Sequence, residues 1–144
     1  MENRKELIIE FTRSFRYLVR TVRQDFAVEF EGYIPFSEFT VLRVLEDDRT
    51  LRVSDVARRL NSTNSYVTIT SEKLVKKGFI IRERNDVDRR SVYLTLTDEG
   101  LALVKKMDEI VFAYFNNTFA NITNEDMNYV LNVLQKIKPY EIEG

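Results

Sequence analysis

The chain has 144 residues, enough for one domain with short extensions. Its composition, 44% hydrophobic and 31% charged with only 4 Gly and 2 Pro, favours a mostly helical soluble protein with a real core. Cysteine and histidine are absent, which excludes disulfides, thiolate or imidazole metal sites and Ser–His or Cys–His nucleophiles. No carboxylates are spaced for metal binding or acid–base chemistry. We therefore expect no cofactor, no bound metal and no enzymatic activity.

The net charge of −1 conceals an uneven distribution. Residues 49–90 contain 11 Lys/Arg and 5 Asp/Glu, a charge of +6, and the remainder contains 11 and 18, a charge of −7. A basic middle flanked by acidic ends is typical of a protein that docks on a polyanion. No apolar run approaches the roughly 18 to 20 residues that span a bilayer, and charges interrupt the N-terminus. We expect a cytoplasmic protein with no membrane partner.

The N-terminal segment predicts one long amphipathic helix. From Leu7 to Phe30, apolar residues recur three or four positions apart. The other side of this helix bears four arginines, most simply explained as a solvated face: Arg13, Arg16, Arg20 and Arg23. Gly32 and Pro35 then indicate a loop, and FSEFTVLRVLE a second helix.

The next two segments predict a helix-turn-helix. LRVSDVARRL forms a helix of about two turns, and NSTNSYVTITSEKLVKKG forms another, which Thr63 is expected to cap and Gly78 to end. At 100° per residue, Val67, Ser71 and Leu74 face inward. The outward face consists of Ser65, Ile69, Glu72 and Lys76, flanked by Tyr66, Thr68 and Lys73. Small hydroxyl side chains at such a helix start suit a DNA major groove. A plain solvent face is the alternative, although it leaves Ile69 unexplained.

After Gly78 the hydrophobic period changes from 3.6 to 2. FIIRER (79–84) and VYLTL (92–96) predict two strands joined by residues 85–91, which completes a winged helix. We expect the Asp88 carboxylate to accept from the Arg90 guanidinium and brace this wing, leaving Arg89 to enter a minor groove. A merely water-soluble hairpin tip is the alternative.

Two more helices are predicted after Thr97, the second beginning at Thr123 with Asp126 as a capping-box variant. The terminal helices are more apolar than the winged core alone can cover, which favours a homodimer over a monomer. The fold class is mainly α with a small β-hairpin wing. The predicted divisions are an N-terminal dimerisation helix (1–33), a winged helix-turn-helix DNA-binding domain (34–97) and C-terminal dimerisation helices (98–144).

The stretch from Ile34 to Gly100 resembles the MarR family of winged-helix regulators. FTVLRVL, LRVSDVARRL, LVKKGFIIRERND and DRRSVYLTLTDEG stand in the family's order and spacing. Asp88, Arg90 and Leu94 fit its wing signature, in which an Asp, any residue, an Arg and three more residues precede Val or Leu.

The resemblance implies a homodimeric regulator, more often a repressor, on a palindromic operator. Helix 63–77 would enter the major groove and wing 85–91 the minor groove of double-stranded DNA, and a small aromatic or anionic effector would release the protein. The DNA-binding residues would be Thr63, Asn64, Ser65, Tyr66, Thr68, Ile69, Lys73, Lys76 and Arg89. For an anionic effector the sequence offers Arg16, Arg20 and Arg43, which surface solvation explains equally well.

One position departs from the family, which often has arginine where this chain has Ile69. The missing cation removes a strong phosphate or guanine contact. A second hypothesis is therefore a winged-helix protein-interaction module that no longer binds DNA. The exposed Ile69 is its main support, and the basic segment 49–90 argues against it.

Overall fold

The computed structural model describes residues 3–88 and 90–138. The chain divides into two compact units, Met1–Phe36 and Ser37–Gly144. The first contains helix α1 (Arg4–Glu29), where Asn3 Oδ1 accepts a hydrogen bond of 2.9 Å from the backbone N–H of Lys5. Phe26 stacks on Phe30 and on Phe36 with ring centroids 5.2 and 5.0 Å apart. This aromatic cluster closes the C-terminal end of the helix.

The second unit follows the predicted order of helices and strands. Helix α2 begins at the last residue of the first unit, and the elements are α2 (Phe36–Asp48), β1 (Thr50–Arg52), α3 (Val53–Arg59), α4 (Asn64–Lys76), β2 (Ile80–Arg84), β3 (Val92–Leu96), α5 (Asp98–Thr118) and α6 (Asn124–Leu134). The mainly α fold with a β wing is thus confirmed. No helix in the described ranges is long and apolar enough to cross a membrane.

The sheet has one strand more than the sequence predicts. Its antiparallel order is β1-β3-β2, with Leu51 opposite Leu94 and Arg52 opposite Tyr93. Strand β1 covers residues 50–52, and the last two of these were predicted to begin the helix LRVSDVARRL. Three residues are too few to show an alternating pattern, and their pairing partner lies more than 40 positions away. The strand therefore has no local signal.

The core of the second unit lies where α2, α3, α4, α5 and the sheet converge. Its fully buried side chains include Phe39, Leu42, Leu45, Val56, Leu74, Leu94 and Met107. Helix α6 contributes no buried residue. Its start matches the prediction, because Thr123 and Asp126 form a reciprocal capping box with hydrogen bonds of 3.1 and 3.2 Å.

Candidate nucleic-acid interface

Helix α4 is fixed at its start and along one face. The Thr63 hydroxyl accepts a hydrogen bond of 3.1 Å from the backbone N–H of Tyr66, as its predicted capping role requires. Val67, Ser71 and Leu74 are fully buried, as predicted. Asn61, in the turn before α4, has a φ of 52°, a left-handed conformation that asparagine tolerates better than most residues. The helix therefore presents one defined face to solvent.

The exposed face of α4 contains the polar side chains that the sequence placed there. Ser65, Tyr66, Lys73 and Lys76 are exposed, as are Thr63 and Asn64 at the helix start, while Thr68 is half-buried. Ile69 lies among them with 58% of its surface accessible. The hydroxyl groups and this one branched apolar side chain offer both hydrogen bonds and an apolar contact to a base edge.

Two ion pairs that the sequence did not predict hold α4 to its neighbours. Glu72, on the exposed face, contacts Arg82 of β2 at 3.3 Å, which neutralises a carboxylate that would repel phosphate. At the other end, Lys77 Nζ lies 2.8 Å from Oε1 of Glu38, which is buried in the first turn of α2. The partners are 10 and 39 positions apart, so helical spacing gives no sign of either pair. Gly78, with a φ of 84°, ends the helix as predicted.

The wing is braced by Asp88, but not through the contact expected from the sequence. Oδ1 of Asp88 accepts from the backbone N–H of Arg90 at 3.0 Å, and Oδ2 accepts from the Ser91 hydroxyl at 3.2 Å. The predicted contact with the Arg90 guanidinium is therefore replaced by one with its backbone. In a tight loop the amide two residues on is nearer to a short carboxylate than the end of a long side chain. Arg89, predicted for the minor groove, lies outside the described residues.

The three candidate effector residues differ in their surroundings. Arg16 Nε donates to the Thr12 carbonyl within α1 at 3.3 Å, and Arg20 is exposed on the same helix. In the second unit, Arg43 lies 3.3 Å from Oδ1 of Asp108 and stands over the Phe39 ring at 5.8 Å. That carboxylate oxygen is buried without an aligned hydrogen bond. Arg43 is thus already engaged by an anion of the protein itself.

Comparison with known proteins identifies the same architecture. Residues 34–92 match the model of the MarR family. The chain is 28% identical over 131 residues to the HTH-type transcriptional regulator SarZ of Staphylococcus aureus, an alignment that covers 91% of this chain and 78% of SarZ. A MarR mutant from E. coli in complex with operator DNA superposes with a TM-score of 0.81 at 20% identity, over 96% of this chain and all of the other.

A third similar structure is the organohalide-sensing regulator RdhR with bound 2,4-dichlorophenol. Its TM-score is 0.83 at 18% identity, over 94% of this chain and 83% of the other. At such identities the superpositions show the fold, and the family model and the named relatives show the class of protein. The matching family and the named relatives are transcriptional regulators, not enzymes. Residues 34–92 are therefore a winged helix-turn-helix domain that matches the MarR family, and the chain as a whole is similar to HTH-type transcriptional regulators.

Proposed function

We propose that this regulator is a cytoplasmic homodimer that represses transcription by binding a palindromic operator in double-stranded DNA. In this proposal α4 lies in the major groove and the wing, residues 85–91, lies in the adjacent minor groove. The observation that carries the proposal is the division of α4 into a fully buried face and a face of exposed hydroxyl and ammonium groups next to the wing.

The side chains of α4 suit two kinds of contact with DNA. Ser65 and Thr68 can donate to phosphate oxygens or base edges, and the ammonium groups of Lys73 and Lys76 attract phosphates. Ile69 suits an apolar contact with the methyl group of thymine. This combination favours an operator with an A·T pair opposite Ile69, flanked by backbone contacts that carry no sequence information.

Exposed apolar helices support the homodimer. On α1, Phe11 and Phe15 have more than half of their surface accessible, and on α5 and α6 Phe112 and Tyr129 are each 72% exposed. A monomer would leave these rings in water, and the burial of one aromatic side chain is worth about 1.5 to 3 kcal/mol. A second copy of the chain covers them with the two-fold symmetry that a palindromic operator requires.

We further propose that a small aromatic or anionic effector releases the protein from DNA. The two α4 helices of a dimer must lie about 34 Å apart, one helical turn, to reach successive major grooves. An effector that favours another spacing lowers operator affinity by its preference for that state. RdhR, which has a similar fold, was crystallised with a chlorinated phenol. Arg16 and Arg20 remain candidates for an anionic group, whereas Arg43 would first have to leave Asp108.

The exposed Ile69 also supports a second function, a module that binds a protein instead of DNA. A branched apolar side chain with 58% of its surface accessible suits a protein interface as well as a thymine methyl. The two functions differ in their dependence on salt, because only the DNA complex releases counterions when it forms.

Titration of the purified protein against its own upstream DNA and against a random duplex, each at two salt concentrations, tests the proposal. We expect tight, salt-sensitive binding that favours the upstream fragment. Sedimentation of the protein alone should give twice the monomer mass of 17.1 kDa. Absence of binding to both duplexes at low salt would reject the DNA-binding function and leave the protein-interaction module.

Replacing Asp88 tests the brace of the wing. Asp88→Ala removes two hydrogen bonds that hold residues 90 and 91, so the loop should lose its fixed shape and operator affinity should fall roughly ten-fold. The loop is exposed, and the melting temperature should stay within about 2 °C of wild type. Asp88→Asn is the matched variant, because its amide oxygen can still accept one of the two bonds and should restore part of the affinity. A large fall in melting temperature would contradict a role confined to the wing.

Arg89→Ala tests the contribution of the wing to DNA binding. We expect weaker operator binding. The slope of log K against log salt should fall by about 0.9 for each arginine–phosphate contact that is lost. Lys105→Ala, an exposed position on α5 with the same change in charge, is the control and should leave both quantities nearly unchanged. Unaltered affinity in Arg89→Ala would remove the wing arginine from the interface.

A further inference from the structure

A cavity of about 240 Å³ lies between α4 and the wing, above the junction of β1 and α3. Its lining includes two arginines and four residues with hydroxyl or amide side chains: Arg52, Ser54, Asn64, Thr68, Arg90 and Ser91. A water molecule takes about 30 Å³ in the liquid, so the cavity is several times larger than a single water or small ion. It is large enough for a section of an extended polar polymer.

Arg52 is held at the rim of this cavity by its neighbour across the sheet. Its Nε donates to the Tyr93 hydroxyl at 3.3 Å, and its guanidinium stands 5.8 Å from the centroid of the Tyr93 ring. The hydrogen bond with Tyr93 is the main reason that the pKa of Arg52 lies above its ordinary value, and the carboxylates of Asp55 and Asp88 act in the same direction. Within residues 3–88 and 90–138, the terminal Nη groups of Arg52 have no hydrogen-bond or ion-pair partner. Arg52 is thus an oriented cation whose terminal N–H groups can still donate hydrogen bonds.

The other charges around the cavity leave it cationic. Both carboxylate oxygens of Asp88 are occupied by the Arg90 amide and the Ser91 hydroxyl. Asp55, the other acid that acts on Arg52, contacts Arg58 at 3.2 Å. The Arg90 guanidinium has no ion-pair partner in the part of the chain that the structure describes. The two arginines of the lining therefore outweigh the one nearby carboxylate of Asp88, whose negative charge its hydrogen bonds leave in place.

In duplex DNA a sugar–phosphate strand separates each major groove from the adjacent minor groove. With α4 in one groove and the wing in the next, that strand has to pass between them, which is where the cavity lies. We propose that this cavity seats the DNA backbone, with Arg52 and Arg90 contacting phosphates and Ser54 and Asn64 donating to the same strand. The inference rests on the proposed DNA binding and adds to it residues of the β1–α3 junction that neither the helix nor the wing contains.

If the cavity binds the DNA backbone, its contribution to DNA affinity should not depend on the DNA sequence, because phosphates are the same in every duplex. Arg52→Ala should weaken binding to the upstream fragment and to a random duplex by the same factor, roughly ten-fold. The slope of log K against log salt should fall by about 0.9 for each protomer. Tyr93→Phe keeps the cation and removes the hydrogen bond, so it should retain most of the slope. Lys105→Ala serves as the control for charge alone.

Neutral methylphosphonate linkages, placed at one symmetric pair of positions in the two half-sites at a time, locate the contact. Arg52→Ala should lose its effect when the phosphate that Arg52 contacts in each half-site is already neutral, and keep it at every other pair of positions. One outcome is that the wild type binds DNA while Arg52→Ala leaves the slope of log K against log salt unchanged. That result would overturn the proposal that the cavity binds the DNA backbone, and it would leave the proposed function intact. Failure of the wild type to bind any duplex would instead reject both. A melting curve of each variant separates these results from unfolding.

Discussion

Gly100→Ala should lower the free energy of unfolding by about 3 kcal/mol and the melting temperature by roughly 10 °C. An ideal Cβ at this position would lie 2.3 Å from the Phe79 carbonyl oxygen and 2.7 Å from Cδ1 of Leu96. Neither atom can easily retreat, since the carbonyl also accepts from the Thr97 N–H at 3.1 Å and Leu96 is buried. Alanine favours a helix over glycine by only about 1 kcal/mol, so the steric term dominates.

Gly32→Ala is the matched control for this experiment. A Cβ at Gly32 meets nothing within 4 Å, and the only cost is its φ of 88°. Such a left-handed residue costs about 1 to 2 kcal/mol, so Gly32→Ala should destabilise less than Gly100→Ala. Thermal and urea unfolding followed by circular dichroism would measure both. Equal stability of Gly100→Ala and wild type would mean that α5 does not approach the start of β2 as closely as described.

Ile69→Arg should raise the affinity for DNA and the salt dependence together. The side chain stands on the exposed face of α4 with no packing role, so the substitution should change stability by less than about 0.5 kcal/mol. A guanidinium at this position can contact a DNA phosphate, which adds about 0.9 to the slope of log K against log salt for each protomer. If it reaches a guanine instead, it gains about 1 to 3 kcal/mol at one base pair only.

Ile69→Ala separates the two roles of the native side chain. Under the DNA-binding proposal, it should weaken the operator complex and relax the preference for an A·T pair, without a change in salt slope. Under the protein-interaction hypothesis, wild type and Ile69→Ala should both fail to bind duplex, and Ile69→Arg alone should bind. Electrophoretic mobility shifts with an operator and with its single-base variants distinguish these outcomes. If operator affinity were the same with Ile, Ala or Arg at position 69, this position would not face DNA.

The sequence was most informative where the signal is local. Thr63 and the pair Thr123 and Asp126 are caps that act within one helical turn, and Gly78 adopts the left-handed conformation that a helix end needs. The buried and exposed faces of α4 also follow from a period of 3.6 residues. Each of these features depends on residues fewer than five positions apart.

Contacts between distant parts of the chain could not be predicted from the sequence. Strand β1 exists because residue 51 meets residue 94, and the pair of Lys77 with Glu38 joins two helices. Arg52 appeared in the sequence as one basic residue among eleven, and only its pairing opposite Tyr93 places it at a cavity. The Asp88 brace was predicted with the correct residues but the wrong atoms, since spacing alone does not separate a backbone amide from the side chain it carries.

The contact between Lys77 and Glu38 fixes the second end of α4, so the helix can turn only together with the rest of its unit. It anchors the C-terminal end of the helix to a buried carboxylate, whereas the N-terminal end is held by the Thr63 cap and the turn before it. Thirteen residues of α-helix are about 20 Å long. A rotation of the unit by about 10° around the C-terminal end of α4 would move Ser65, about 18 Å away, by about 3 Å, close to the rise of about 3.4 Å per base along a DNA strand. A small rotation of the whole unit would therefore displace the start of the recognition helix by about one base step.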